Sequence, residues 1–343
     1  MKILDKKLFG AKYPPLIVHI YYFIISVTFS YLYGVKFLPS ADFYSPLSTG
    51  GIFAVLNGTA VKPVQFRILI PLIFKALSIF SFLNYKILFV IISVVLTYFI
   101  LISFYALLNC YFKDKIVNSW LPPVIIYPMV WNYILLNGQF FFMDFSVLLF
   151  IILGSYFILK EKNISLLILF FLGTLNHPSV GYLIIAFALF NYKKFFKFKT
   201  IIYGGAMAII YIVVYKVMDK IYPGDQGYFI LYNLPYNLSL FHILSPLRLL
   251  KIGALNFGAL HIFFLFFFLS GRWKKFNGPK MYINLTLIPY IVSVWLMFSI
   301  HEIRNYIAII PFFLIPCLMY LSTLENSLLK PVDEPVKSSS EPK

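Results

Sequence analysis

"ISLLILFFLGTLNHPSVGYLIIAFALF", residues 164–190, decides how this chain is threaded. Apolar residues fill both halves, and Asn176, His177 and Pro178 interrupt the middle. Proline removes a backbone donor and clashes with the preceding turn, which disfavours one unbroken helix. The segment is therefore either one broken span or two short helices joined at "NHPS". In the second arrangement each arm has about 12 residues, roughly 18 Å at 1.5 Å per residue. The tip of such a hairpin need not reach the far side of a hydrocarbon layer about 30 Å thick.

The surroundings of this stretch are just as apolar. Hydrophobic residues make up 61% of the 343, charged residues 12%, and the mean hydropathy is +0.86. A soluble domain carries about 25% charged residues. Apolar runs long enough to cross a bilayer as helices recur along the chain. The short alternating strands of a membrane barrel do not. The expectation is an all-α, polytopic bundle of transmembrane helices. The formal charge is +17. Lysines and arginines gather in short loops between apolar runs, as orientation signals do, so no nucleic-acid partner is expected. Cys110 and Cys317 lie at or within apolar segments and lack metal-like spacing.

Eight full spans are expected, at about 15–38, 85–110, 120–137, 140–159, 200–221, 252–270, 281–299 and 306–323. The first lacks a small-residue cleavage site and reads as a retained signal anchor. The stretch 64–82 is short for a span and carries Arg67 and Lys75. It reads as an amphipathic helix on the outer surface. Lys2, Lys6, Lys7 and Lys12 put the N-terminus in the cytoplasm. The basic clusters at 113–115, 160–162, 193–199 and 272–275 then fall inside, and 164–190 becomes the hairpin. The rival threading makes 64–82 a full span and 164–190 a single one, with the first two clusters outside. The first agrees better with the positive-inside bias. It gives a single membrane domain over 1–324, with outer loops at about 39–84, holding juxtamembrane helices, and 222–251. A Pro-, Ser- and Lys-rich tail, 325–343, is expected to be disordered in the cytoplasm. No internal repeat is visible, which weighs against an inverted-repeat transporter.

The first threading collects the chemically capable residues on one side. Asp42 follows the first span, just before Tyr44, and is either a solvated loop acid or helix cap, or a working carboxylate. Gln65 and Arg67 begin an apolar helix, where arginine either snorkels or binds phosphate with its planar set of donors. Asp144 lies a few residues into a span, a costly position that marks function by default. Asn176 and His177 either satisfy carbonyls freed by Pro178 or contact a substrate. His301, Glu302 and Arg304 open the last span as an interfacial belt or as a cluster at a cavity mouth. No phosphate loop, Ser-His-Asp spacing, metal-binding helix or arginine ladder occurs, so a cytosolic nucleotide-sugar donor is not expected.

This layout resembles the glycosyltransferase C superfamily of polytopic enzymes. The resemblance rests on Asp42 in the first outer loop and on the following "STGGIFAVLNGTAVKPVQFRILIPLI". It also rests on Asp144 at the second outer loop, the short-helix pair and the loop 222–251. The chain departs from the larger members in having no C-terminal soluble domain and no Asp-X-Asp. The resemblance implies transfer of a sugar from a polyprenyl-phosphate-linked donor to a glycan or lipid acceptor, on the outer face of a bacterial inner membrane. Asp42 would be the general base. Arg67 or Arg304 would stabilise the departing phosphate. Tyr44, Gln65, Asp144, Asn176, His177, His301 and Glu302 would line the substrate. Asp42 and Asp144 would hold Mg2+ or Mn2+ if the reaction uses a metal. A polysaccharide polymerase and a transporter or flippase of a lipid-linked saccharide are the competing classes.

Overall fold

The computed structural model describes residues 16–38, 51–60, 64–79, 84–135, 143–222, 260–276, 278–297 and 303–324, with isolated positions 235, 238, 239, 329 and 331. All regular elements among them are helical, apart from a bridge pairing Phe112 with Pro331. The helices of nine residues or more are α1 (Leu16–Phe37), α2 (Leu69–Leu77), α3 (Tyr85–Leu108), α4 (Met143–Leu159) and α5 (Asn163–Thr174). They continue with α6 (Tyr182–Phe190), α7 (Phe198–Ile221), α8 (Leu260–Leu269), α9 (Leu287–Met297) and α10 (Ile310–Ser322).

The expected bundle of eight full spans is not what the chain forms. Among the described residues only 3 helices, α1, α3 and α7, are long and apolar enough to cross a membrane by length and composition. These few long apolar helices fit a multi-pass membrane protein. Three of the other apolar runs, 120–137, 281–299 and 306–323, are cut by residues that hydropathy does not register. In 120–137, Pro122, Pro123 and Pro128 leave a 3-10 turn (Pro122–Ile125), one short helix (Ile126–Val130) and a π-helical turn (Trp131–Leu135). In 281–299, Asn284 Nδ2 donates to the carbonyl of Lys280 at 3.2 Å. Pro289 has no donor for the carbonyl four residues back, and a 3-10 turn precedes α9. Pro311 divides a 3-10 stretch (Ile303–Ile309) from α10. Helix α2, with 9 residues, is about 13 Å long, too short for a span.

Helices α1, α3 and α4 pack side by side, and α4 also carries α5 and α6. The chain reverses at 175–181. Lys194 Nζ and Glu161 Oε1, 3.4 Å apart, draw the two ends of this hairpin together. Both arms lean on α4 and α7. Between apolar helices in lipid the hydrophobic effect gives little drive, so close approach through small residues matters. Gly154 of α4 faces Leu183, and Gly173 of α5 faces Phe150 and Val180.

A Cβ on Gly173 would meet Val180 Cγ1 at 2.9 Å and Phe150 Cγ at 3.1 Å. Val180 is β-branched and Phe150 is a rigid ring, so neither yields cheaply. Gly173→Ala is expected to lose about 1–3 kcal/mol to overpacking, less up to about 1 kcal/mol regained in helix propensity. The net effect is a lower melting temperature in detergent. An unchanged or higher one would mean that the hairpin has room to spare.

Helix α4 sets the long dimension of the site. Asp144 stands in its first turn, and Lys160 follows its last residue. Its 17 residues separate the two ends by about 25 Å. Helix α7 repeats the relation. It starts beside the lysines at 193–199, and Val214 and Met218, near its far end, cluster with Phe66. The basic clusters at 160–162 and 193–199 therefore lie at the end opposite Arg67 and Asp144.

Candidate functional site: a buried Arg67–Asp144 cluster

The site is assembled from separate parts of the chain. Arg67 follows a 3-10 turn, Val64–Phe66, whose first carbonyl accepts from the Arg67 amide at 3.0 Å. The next two amides, of Ile68 and Leu69, donate to the carbonyl of Leu175 at 3.0 and 3.3 Å. This pins the arginine loop to the tip of the hairpin. Tyr215 of α7 meets Phe66 edge-on, with ring centroids 5.6 Å apart.

Asp144 receives Arg67 and a tyrosine. Arg67 Nη1 donates to Asp144 Oδ1 at 2.7 Å, and Tyr133 Oη donates to Oδ2 at 3.1 Å. Arg67 is 8% exposed and Asp144 3%. An acid in the first turn of a helix is favoured by the helix dipole. Here the guanidinium also neutralises it, which a carboxylate in so dry a place requires. Phe145 and Tyr33 wall the group in. The Tyr133 and Phe145 rings are 4.9 Å apart, and those of Tyr33 and Phe145 5.1 Å.

The hairpin tip supplies the remaining polar groups. The His177 ring caps the following turn: its Nδ1 accepts from the Ser179 amide at 3.1 Å. In neutral imidazole the proton then sits on Nε2. That nitrogen lies 3.9 Å from Asp144 Oδ1, beyond direct hydrogen bonding. Asn176 is fully buried and donates from Nδ2 to the carbonyl of Met143 at 3.4 Å. Its Oδ1 has no hydrogen-bond partner among the described residues. Ser179 Oγ is 3.3 Å from the hydroxyl of Tyr290 on α9.

Of the residues expected from sequence, Arg67, Asp144, Asn176 and His177 thus come together. Gln65 is buried beside them but spends both ends of its amide locally. Its Nε2 donates to the carbonyl of Val55 at 2.8 Å, and its Oε1 accepts from the Ala60 amide at 3.0 Å. It clamps the loop. Asp42, Tyr44, His301 and Glu302 lie outside the described residues. Arg304 stands on the 3-10 stretch Ile303–Ile309, which packs against α4. The stretches 222–251, expected as an outer loop, and 325–343, expected as a tail, lie almost wholly outside the described residues.

Tyr133 and Tyr290 were not singled out by sequence. Each sits in an apolar, aromatic run. The π-helical turn that turns Tyr133 toward Asp144 has no signature in a 3.6-residue period. Asp42, the other expected metal ligand beside Asp144, lies outside the described residues. A dication at Asp144 would sit against a guanidinium already 2.7 Å from Oδ1. Among the described residues no group of three His, Cys, Asp or Glu is arranged to hold a metal.

Compared with known proteins, the chain matches no family model, no curated protein and no solved structure.

Proposed function

We propose that the protein is an integral membrane glycosyltransferase that transfers a sugar from a polyprenyl-phosphate-linked donor to a glycan or lipid acceptor. The observation that carries this reading is the convergence of Arg67, Asp144 and His177 at one end of α4, away from the basic clusters. By the positive-inside rule those clusters mark the cytoplasmic end, with both termini. The site then faces outward, in the inner membrane of a bacterium.

Asp42, which follows α1 in the sequence, takes the proton of the acceptor hydroxyl. The acceptor oxygen attacks the anomeric carbon, the bond from that carbon to the phosphate oxygen breaks, and the anomeric configuration inverts. Arg67 stabilises the negative charge that develops on the departing polyprenyl phosphate. Asp144 acts through Arg67. It consumes one of the five guanidinium donors and fixes the plane of the rest. His177, whose Nε2 lies 3.9 Å from the same carboxylate, contacts a phosphate or sugar oxygen of the substrate.

A second reading is transport of a lipid-linked saccharide. It is favoured by the closure of the Arg67–Asp144 pair, since ionisable groups buried among apolar helices also mark transport paths. Proteoliposomes with donor labelled in the sugar separate the two. The transferase produces labelled acceptor and free polyprenyl phosphate, in proportion to enzyme. Movement of intact donor between leaflets, with no labelled product, would overturn the transferase.

A further inference from the structure

At the opposite end of the molecule, the base of the hairpin opens onto a second feature. Between the end of α4, both arms of the hairpin and the start of α7 lies a partly open cavity of about 210 Å3. That is about seven times the volume share of one water in the liquid, roughly 30 Å3. Lys194, Lys197 and Lys199 line it, together with Asn191, Thr200 and Glu161. Glu161 is engaged by Lys194 at 3.4 Å. Two lysines therefore remain in excess, within reach of a hydroxyl and an amide. Orientation signals need only be basic. They do not need a cavity with neutral hydrogen-bonding groups on its wall.

The rim is apolar and uncovered. Phe195, Phe196 and Phe198 are 48%, 89% and 79% exposed, in the same "KKFFKFK" stretch as the lysines. Beyond them α7 presents Ile201, Ile209 and Val213 to its surroundings, at 53%, 63% and 51% exposure. The charged pocket thus sits at the start of a 24-residue helix that carries exposed apolar side chains along its length. A free anion has no use for those side chains, whereas a lipid has both an anionic head and acyl chains.

We propose that this cavity is a binding site for the phosphate headgroup of an anionic phospholipid, with its acyl chains lying along the exposed face of α7. Lys197 and Lys199 contact the phosphate, Lys194 is shared with Glu161, and the Thr200 hydroxyl hydrogen-bonds a phosphate or glycerol oxygen, while Asn191 Nδ2, which donates to the Phe187 carbonyl at 3.0 Å, has one further hydrogen to give. Basic pockets between membrane helices on the cytoplasmic side recognise headgroups in this way. The site is separate from the Arg67–Asp144 cluster and does not depend on the sugar chemistry proposed there.

The test uses the full-length protein in detergent, titrated with short-chain phosphatidylglycerol, phosphatidylcholine of the same chain length, or inorganic phosphate. Native mass spectrometry and melting temperature are the readouts. Expected is one phosphatidylglycerol retained per protein with a raised melting temperature, and weaker effects of the other two. Lys194→Gln/Lys197→Gln/Lys199→Gln is expected to weaken phosphatidylglycerol binding about 100-fold, from the contribution of each lysine near an anionic headgroup. Replacing the same three by arginine should restore it. Lys113→Gln/Lys115→Gln, at a different basic loop, should leave it in place. Equal retention of the two lipids by the wild type would overturn the proposal without recourse to any variant. So would lysine-dependent binding of inorganic phosphate alone, or an equal loss in the Lys113/Lys115 control, which would mean diffuse attraction.

Discussion

Arg67→Ala is expected to destabilise the protein by about 3–5 kcal/mol, as is Asp144→Ala, because each removes one half of a buried ion pair. The two residues are 8% and 3% exposed and joined at 2.7 Å, so neither charge has water to fall back on. The double substitution removes both charges together. Its cost should fall well below the sum of the single costs, with a coupling of up to about 3 kcal/mol between residues in direct contact. Tyr133 sharpens the expectation, because its hydroxyl also loses an acceptor when Asp144 is removed. Unfolding in detergent, followed by circular dichroism across the double-mutant cycle, measures the coupling. Additive costs would mean that the pair is solvated in the membrane and does not hold the arginine loop.

This stability experiment bears on function. If Asp144 serves to fix Arg67, then Asp144→Asn should impair phosphate-dependent steps even where the fold survives. The neutral amide still reaches the guanidinium but no longer compensates its charge. The ion pair also links the loop after residue 66, the start of α4 and, through the Leu175 carbonyl, the hairpin tip.

The parts of this site that were legible in the sequence were those with an energetic cost. Asp144 and Arg67 stood out because ionisable groups in apolar surroundings are expensive. His177 stood out because it adjoins a proline that breaks a run. Tyr133 gave no such signal, since an aromatic residue in an apolar run is unremarkable until a π-helical turn aims it. Gln65 misled for the opposite reason. A buried amide beside an arginine reads as a ligand group, yet it is consumed by the backbone at Val55 and Ala60. The expected spans at 120–137, 281–299 and 306–323 failed on a related point. Hydropathy counts the apolar character of Pro122, Pro123, Pro128 and Pro311 but not the hydrogen bonds they remove. Only runs without an interior proline, such as 16–37, 85–108 and 198–221, became long helices.

The proposed chemistry rests on a residue outside the described part of the chain. Asp42 is the carboxylate assigned to the acceptor proton, and a positioned general base contributes about 10²- to 10⁴-fold to rate. The decisive measurement is product formation by Asp42→Asn in proteoliposomes supplied with a polyprenyl-phosphate-linked sugar and acceptor, beside wild type at equal insertion. A fall of about 10²-fold or more, with the melting temperature unchanged, is the expected result. Wild-type rates from Asp42→Asn would contradict the account.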